Sequence, residues 1–318
     1  MEITISEAAA KIKKANSIII APHVNPDCDG LGSTLGLYHA LTKKGHKVRI
    51  FVDDDIPEAY HFLPGWELFK KPDQKITGAD LFIVLDAEPE RTGRVNKITD
   101  APILNFDHHR SNTRTADFLY LAPYRAATGE IIYELLAELG IEFDYKMAVS
   151  VYAAIATDCG FFRYSNTTEF TMKAAGDLLG YGVRPNIISE ALEQRKYADV
   201  KAIADVINTI ELYNEGKIAV AGADKDIVEK CSSTEGFVDL VRVIEGVDVA
   251  VLIKYAADNV TRISMRSKKT DVAAVAEKLG GGGHVRASGC NLEMSFHEAR
   301  KKVIQALTRE MAGQENAD

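Results

Sequence analysis

Paired cysteines are missing from this chain. Cys28, Cys159, Cys231 and Cys290 lie far apart and form no Cys-x-x-Cys spacing, so neither a zinc ribbon nor a disulfide framework is indicated. Long apolar runs are also missing: none approaches the roughly 18 residues that a membrane-spanning helix requires. Residues 1–16 read as an acidic-basic helix without the apolar core of a targeting peptide, so a cytoplasmic protein with no membrane partner is expected. Positive charge is scarce, with 38 Lys and Arg against 46 Asp and Glu and a net charge of −8. Binding long nucleic acid relies on many basic groups that release counterions. The charge balance therefore argues against such a partner, but it leaves room for a short or mononucleotide substrate at one local basic pocket. No Gly/Ser-rich linker, internal repeat or low-complexity tract breaks the 318 residues, a length that suits about two domains.

The first half of the chain alternates short apolar runs with amphipathic stretches, the pattern of a parallel sheet flanked by helices. A buried strand is expected at 17–21, followed by a helix over 31–44 that stops before Gly45, with Asp29 a candidate for its N-cap. Further strands are expected at 47–52, 81–85 and 103–106. Thr128 is expected to cap a helix reaching Leu139, with Glu130 favourable in its first turn. Residues 145–157 are apolar on most faces and read as a buried helix. Thr168 is expected to cap another helix ending near Gly180, and Pro185 opens a helical connector to about Tyr213. Beyond Lys217 the pattern predicts a strand at 218–221, a helix at 237–244, and strands at 247–255 and 260–267. A helix at 272–279 then runs into four glycines, and a terminal helix at 296–311 leads into a frayed 313–318. The expected class is α/β. A parallel-sheet domain with flanking helices spans 1–186, a helical connector 187–214, and a smaller mixed α/β domain 215–318.

Carboxylates and histidines gather where these apolar segments end. His23, Asp27 and Asp29 follow the first strand, Asp86 follows 81–85, Asp107, His108 and His109 follow 103–106, and Asp158 closes 145–157. In open parallel sheets, ligands collect beyond the carboxyl ends of the strands. A single Asp after a strand is usually a cap or turn residue, but a repeat at several strand ends is hard to explain that way. Asp27, Asp29, Asp86 and Asp158 would repel one another strongly unless two divalent cations neutralised them. Carboxylate and imidazole donors suit ions such as Mn²⁺. Two such ions about 3.5–4 Å apart can share a carboxylate and a water, and lower the pKa of that water. Asp107 would then fix the tautomer of a neighbouring imidazole instead of binding metal. Cys28 and Cys159 read as small residues packed under the site.

These residues resemble the DHH phosphoesterase superfamily, named for the tripeptide Asp107-His108-His109. The stretch His23-Val24-Asn25-Pro26-Asp27-Cys28-Asp29-Gly30-Leu31-Gly32-Ser33 is similar to its first motif, Asp86 to its second, and Thr157-Asp158-Cys159-Gly160-Phe161-Phe162 to its fourth. The resemblance covers essentially the whole chain. It implies one metal ion on His23, Asp27 and Asp86 and another on Asp29, Asp86, His108 and Asp158, with Asp86 bridging. Two Mn²⁺ ions are the expected cofactors, with Mg²⁺ or Co²⁺ as alternatives. Asp86 and His109 are the implied catalytic residues, and His109 with Arg110 would face the substrate phosphate. Cys159 stands where the family more usually has Thr, a departure that leaves the ligand set intact.

Gly280-Gly281-Gly282-Gly283-His284-Val285-Arg286-Ala287-Ser288-Gly289 resembles the glycine-rich signature of the DHH-associated domain. Glycines remove Cβ atoms and let backbone N–H groups approach an anionic or planar ligand. Gly282, Gly283 and His284 are therefore candidate substrate contacts. Arg262 and Arg266, alternating on one face of the strand before them, are further candidates, as is Arg163 after the fourth motif. The resemblance implies a substrate reaching across a two-domain cleft. Length and charge argue against a RecJ-type DNA exonuclease, and the glycine-rich lobe against a manganese pyrophosphatase. Stand-alone two-domain members of about this size resemble the bacterial nanoRNase type. It hydrolyses short oligoribonucleotides and removes the 3′-phosphate of 3′-phosphoadenosine 5′-phosphate, using water activated by two metals. Hydrolysis of cyclic di-AMP or linear di-adenylate is the open alternative. A non-catalytic nucleotide-binding regulatory module is a remote one, because every member of the acidic cluster is retained. A homodimer is compatible with all of these.

Overall fold

The computed structural model describes residues 1–231, 233–234 and 236–315, and its contacts divide the chain into two units, Met1–Gln194 and Arg195–Asp318. In chain order the first unit runs α1 (Ile5–Lys14), β1 (Ser17–Ala21), α2 (Cys28–Lys43), β2 (Lys47–Ile50), β3 (Leu81–Leu85), β4 (Ile103–Asp107) and β5 (Phe118–Leu121). It continues with α3 (Thr128–Glu138), α4 (Tyr145–Asp158), α5 (Glu169–Leu179) and α6 (Pro185–Glu193). All five strands are parallel, in the order β2-β1-β3-β4-β5. The order reverses between β1 and β3, which makes their carboxyl ends the natural place for a site.

Both faces of this sheet are covered, which is why β1 and β3 are apolar at nearly every position. Ile18, Ile20, Leu81, Ile83 and Leu85 join the core built by the helices. Ile19, Ala21, Phe82 and Val84 point the other way, onto Phe51, Val95 and Ile98. Each fully buried Ile is worth roughly 1.5–3 kcal/mol over an exposed one. The helices thus gather on one face, while the second face is closed by irregular chain and the 3₁₀ segment Pro89–Lys97.

Several local expectations need correction. α2 begins at Cys28, three residues before Leu31, because the Asp27 carboxylate accepts the Gly30 N–H at 3.0 Å. Asp27, not Asp29, is therefore the cap, and Asp29 lies in the first turn. Thr128 is already helical; the N-cap of α3 is Ala127, with no side-chain cap bond. β5 was not expected from its short Phe-Leu-Tyr-Leu run, yet it pairs with β4 from Leu104 to Asp107. α2 and α3 meet α4 along a seam of small residues. A Cβ on Gly32 would lie 2.4 Å from the Ser150 carbonyl oxygen, and one on Gly129 2.8 Å from the Ala154 Cβ.

The second unit contains α7 (Tyr197–Ile207), β6 (Glu211–Tyr213), β7 (Ile218–Ala223), α8 (Lys225–Lys230), α9 (Phe237–Arg242), β8 (Val249–Ala257) and β9 (Val260–Ser267). α10 (Val272–Lys278), β10 (Gly282–His284), β11 (Ala287–Leu292) and α11 (Phe296–Glu315) complete it. Its six-stranded sheet is mixed, in the order β10-β11-β9-β8-β7-β6, and only β7 and β8 run parallel. Here helices cover both faces. Ile218, Val251 and Ile253 pack with α10 and α11, while Ala219, Ala221 and Leu252 pack with α7 and α9. The stretch expected as a purely helical connector ends in β6, and α8, β10 and β11 are additions to the predicted elements. Of the tail expected to fray, 313–315 continue α11, and 316–318 lie outside the described residues.

Candidate metal centre

The carboxyl ends of β1, β3 and β4 and the adjoining ends of α2 and α4 bring the predicted acidic and imidazole groups together. His23, Asp29, Asp86, Asp107 and His108 are all buried. Three overlapping groups have ligand atoms close enough to hold an ion: His23, Asp27 and Asp86; Asp29, His108 and Asp158; and Asp86, His108 and His109.

The tautomers follow from the hydrogen bonds. Nδ1 of His23 lies 2.7 Å from the Val24 carbonyl oxygen, and Nδ1 of His108 lies 3.2 Å from that of Arg125. A carbonyl can only accept, so both rings carry the proton on Nδ1 and turn Nε2 toward the carboxylates. His23 Nε2 is 3.5 Å from Asp86 Oδ2 and 3.6 Å from Asp27 Oδ1. His108 Nε2 is 3.4 Å from Asp86 Oδ1, 3.5 Å from Asp158 Oδ2 and 3.8 Å from Asp29 Oδ2. These separations exceed the roughly 2.7–3.2 Å of an N–H···O bond. Two donors sharing one ion at bond lengths of about 2.1 Å stand roughly 3.0–3.6 Å apart, so the donor set fits a divalent cation.

Charge leads to the same conclusion. Burial, then the neighbouring Asp86 and Asp158, holds Asp29 well above the usual carboxylate range, even though it accepts from the Thr128 and Gly129 amides and the Ser33 hydroxyl. Burial, against the pull of His108, also pushes Asp158 up, to about 7. Asp86 goes the other way: burial opposes its ionisation, but His108 and His23 outweigh it and hold it well below its ordinary value. Burial disfavours a charged His23, yet Asp27 and Asp86 prevail and raise it to about 11. With protons alone, the cluster shares its charges awkwardly, and a cation among these oxygens would relieve that crowding.

Asp107 stands behind this cluster. Its Oδ1 accepts from the Nδ1–H of His109 at 2.7 Å and from the His109 backbone N–H at 3.0 Å, and its Oδ2 accepts from Asn112 at 2.6 Å. Asp86 itself adopts a left-handed backbone (φ 66°), as do Gly160, Phe161 and Phe162 just after Asp158 (φ 58°, 53° and 65°). For the three non-glycine residues this conformation costs energy, and such strain concentrates at functional sites.

A model of the N-terminal domain of the DHH family matches residues 17–155, and a model of the DHHA1 domain matches 216–313. The bifunctional oligoribonuclease and PAP phosphatase NrnA of Thermus thermophilus is 33% identical over 95% of this chain and 93% of its own. This chain belongs to the DHH family. The NrnA of Bacillus subtilis is 29% identical over 92% of this chain and 95% of its own. An exopolyphosphatase-related protein from Bacteroides fragilis shares the fold, with a TM-score of 0.89 at 24% identity over 96% of this chain and 95% of that one. The protein is thus an enzyme of the DHH phosphoesterase family. No helix among the described residues is long and apolar enough to cross a membrane.

None of the remaining candidates of this DHH chain is buried. Arg110 and Arg163 are exposed, and Arg163 donates through Nε to the Gly160 carbonyl at 2.8 Å. In the second unit Arg262 is exposed on β9, while Arg266 on the same face lies 3.6 Å from Asp239. Gly282, Gly283 and His284 form the exposed edge strand β10. Part of the glycine run has a packing reason. A Cβ on Gly281 would meet the Gly289 carbonyl oxygen at 2.1 Å and one on Gly283 the Ala287 oxygen at 2.6 Å, whereas Gly282 faces open space. Cys28 and Cys159 are free and buried.

Sequence reasoning missed residues that hold the candidate ligands and the strand end that bears one of them. Thr128 donates its hydroxyl to Asp86 Oδ1 at 2.9 Å. Asn105 donates to the Val84 and Ala87 carbonyls at the end of β3, at 3.1 and 2.8 Å. The Asn105 signal was present: a lone amide inside an apolar strand. Thr128 carried none beyond its resemblance to a cap.

Proposed function

We propose that this enzyme hydrolyses short oligoribonucleotides and the 3′-phosphate of 3′-phosphoadenosine 5′-phosphate, using two divalent ions, Mn²⁺ foremost. The observation that carries this reading is the way Asp86 divides its oxygens. Oδ2 faces His23 at 3.5 Å and Oδ1 faces His108 at 3.4 Å, so one carboxylate belongs to two ligand groups. His23, Asp27 and Asp86 would hold one ion and Asp29, Asp86, His108 and Asp158 the other. When bound, such ions supply positive charge for the phosphate oxygens and an activated water. His109, its ring fixed by Asp107, offers a polarised imidazole to the phosphate. Arg110 and Arg163 add positive charge at the rim of the site. Arg262, Arg266, Gly282, Gly283 and His284 of the second unit contact the nucleoside side of the substrate.

The two named relatives support the choice of substrate, being described as oligoribonucleases and PAP phosphatases and covered nearly end to end by this chain. In this reading residues 1–186 are catalytic, 187–214 connect and 215–318 bind substrate, in a cytoplasmic protein for which a homodimer is compatible. The test is turnover by the purified protein with Mn²⁺ on short oligoribonucleotides, 3′-phosphoadenosine 5′-phosphate, cyclic and linear di-adenylate, a long RNA and pyrophosphate. EDTA-sensitive hydrolysis of the first two is expected, with little on the last two. A clear preference for the di-adenylates would overturn the substrate choice. Nucleotide binding that persists in EDTA without any turnover would overturn the enzyme reading itself.

A further inference from the structure

The candidate metal ligands arrive from different elements, yet four of them are tied to one short stretch, residues 125–129. The Arg125 carbonyl accepts from His108 Nδ1 at 3.2 Å. The Thr128 and Gly129 amides donate to the two oxygens of Asp29 at 2.7 and 2.9 Å. The Thr128 hydroxyl donates to Asp86 at 2.9 Å. The Asn166 side-chain amide donates to the Ala126 and Asp158 carbonyls, each at 3.2 Å, and so ties the end of α4 to the same stretch.

Glu130 holds this stretch in place. Its side chain is fully buried. Oε2 accepts the Ala126 N–H at 3.1 Å, and Oε1 accepts a short hydrogen bond from the Thr171 hydroxyl on α5. Thr171 is itself fixed in the capping box of α5, with Thr168 3.0 Å away. A buried carboxylate is costly unless each oxygen is satisfied, and the hydrogen bonds of Glu130 run to the backbone of residues 125–129 and to α5 instead of to a proposed ligand.

We propose that Glu130 is a positioning residue for the metal centre. By pinning Ala126 and α5, it sets the conformation in which residues 125–129 orient His108, Asp29, Asp86 and the end of α4 before any ion arrives. This rests on the proposed metal-binding reading. Removing groups that orient metal ligands typically weakens metal binding about 10- to 100-fold, whereas a purely structural helix cap would lower the melting temperature and leave the affinity of the folded protein alone.

The experiment compares the parent enzyme with Glu130→Ala, Glu130→Gln and Asp86→Asn. Mn²⁺ affinity is measured by titration calorimetry, and amide hydrogen exchange at Thr128 and Gly129 is followed in the metal-free protein. Glu130→Ala should bind Mn²⁺ about 10- to 100-fold more weakly and exchange those amides faster. Glu130→Gln should recover most of both, because its amide oxygen still accepts the Ala126 N–H. If Glu130→Ala does not fold, Thr171→Val removes one donor without touching the ligand stretch and should weaken binding by about threefold or more. A folded Glu130→Ala or Thr171→Val protein with parental affinity and parental exchange would overturn the proposal. A parent protein that binds no Mn²⁺ overturns the metal reading instead, and the exchange rates then still decide the role of Glu130.

Discussion

The two units treat their functional edges in opposite ways. The first buries its chemistry: Asp29 and Asp86 are each 2% exposed, and His23 6%. The second displays its candidate contacts, with Gly282, Gly283, His284 and Arg262 all exposed. Buried charges must be satisfied by neighbours or by an ion, so their places are fixed by the fold. Exposed groups face solvent, where hydration offsets the cost of their polarity. In the proposed reading, the first unit is committed to chemistry before substrate arrives, and the second to recognition.

The contrast is broken most directly at Asp86. Asp86→Asn keeps the size of the side chain but removes the charge shared by two ligand groups. Hydrolysis should fall by roughly two to three orders of magnitude or more, with the circular dichroism spectrum unchanged. Retained turnover would show that the buried edge is not the reactive one.

Protons offer a second handle on the buried edge. In the metal-free protein burial opposes protonation of His23, but Asp27 and Asp86 raise it to about 11; His108 is raised too, by Asp86, Asp158 and Asp29 acting against burial. Both rings therefore hold a proton more tightly than a free imidazole does, and Nε2 must lose its proton before it can bind an ion. The metal-free state holds more protons than the loaded one, so Mn²⁺ affinity should rise with pH. The expected rise is roughly tenfold per pH unit for each proton displaced. Titration calorimetry in buffers of different ionisation enthalpy reads the released protons directly; a pH-independent affinity would contradict this account.

The exposed edge should respond more mildly. Arg262→Ala is expected to raise KM about tenfold with little change in kcat or melting temperature, the loss of one charge-assisted contact. Arg266→Ala should cost less, because part of that guanidinium is already engaged by Asp239 at 3.6 Å. A fall in kcat with KM unchanged, in either variant, would place these arginines in the chemistry and blur the division between the units.

The same contrast explains what could be read in advance. β1 and β3 were legible because a sheet buried on both faces demands uninterrupted apolar runs, and Asp86 and Asp107 stood out as charges at the ends of such runs. β10 and β11 were not: Gly-Gly-His and Ala-Ser-Gly-Cys-Asn-Leu show neither length nor apolar alternation, and their pairing with β9 comes from tertiary contact. Asp29 could be read as a ligand but not as the acceptor of the α3 amides, because that bond spans 99 residues. Thr128 and Glu130 looked like routine helix-start residues, since their distant partners come from the residue after β3 and from α5.

The small-residue seam between α2, α3 and α4 acts as a gauge for the metal site. Metal–ligand distances tolerate about ±0.2 Å. A methyl group on Gly32 would sit 2.4 Å from the Ser150 oxygen, about 1 Å inside ordinary contact. Relief of that clash would move α2, which bears Asp29, away from α4, which bears Asp158, by several times the tolerance. The spacing between candidate ligands on different helices is therefore machined by the absence of side chains at positions outside the candidate ligand set.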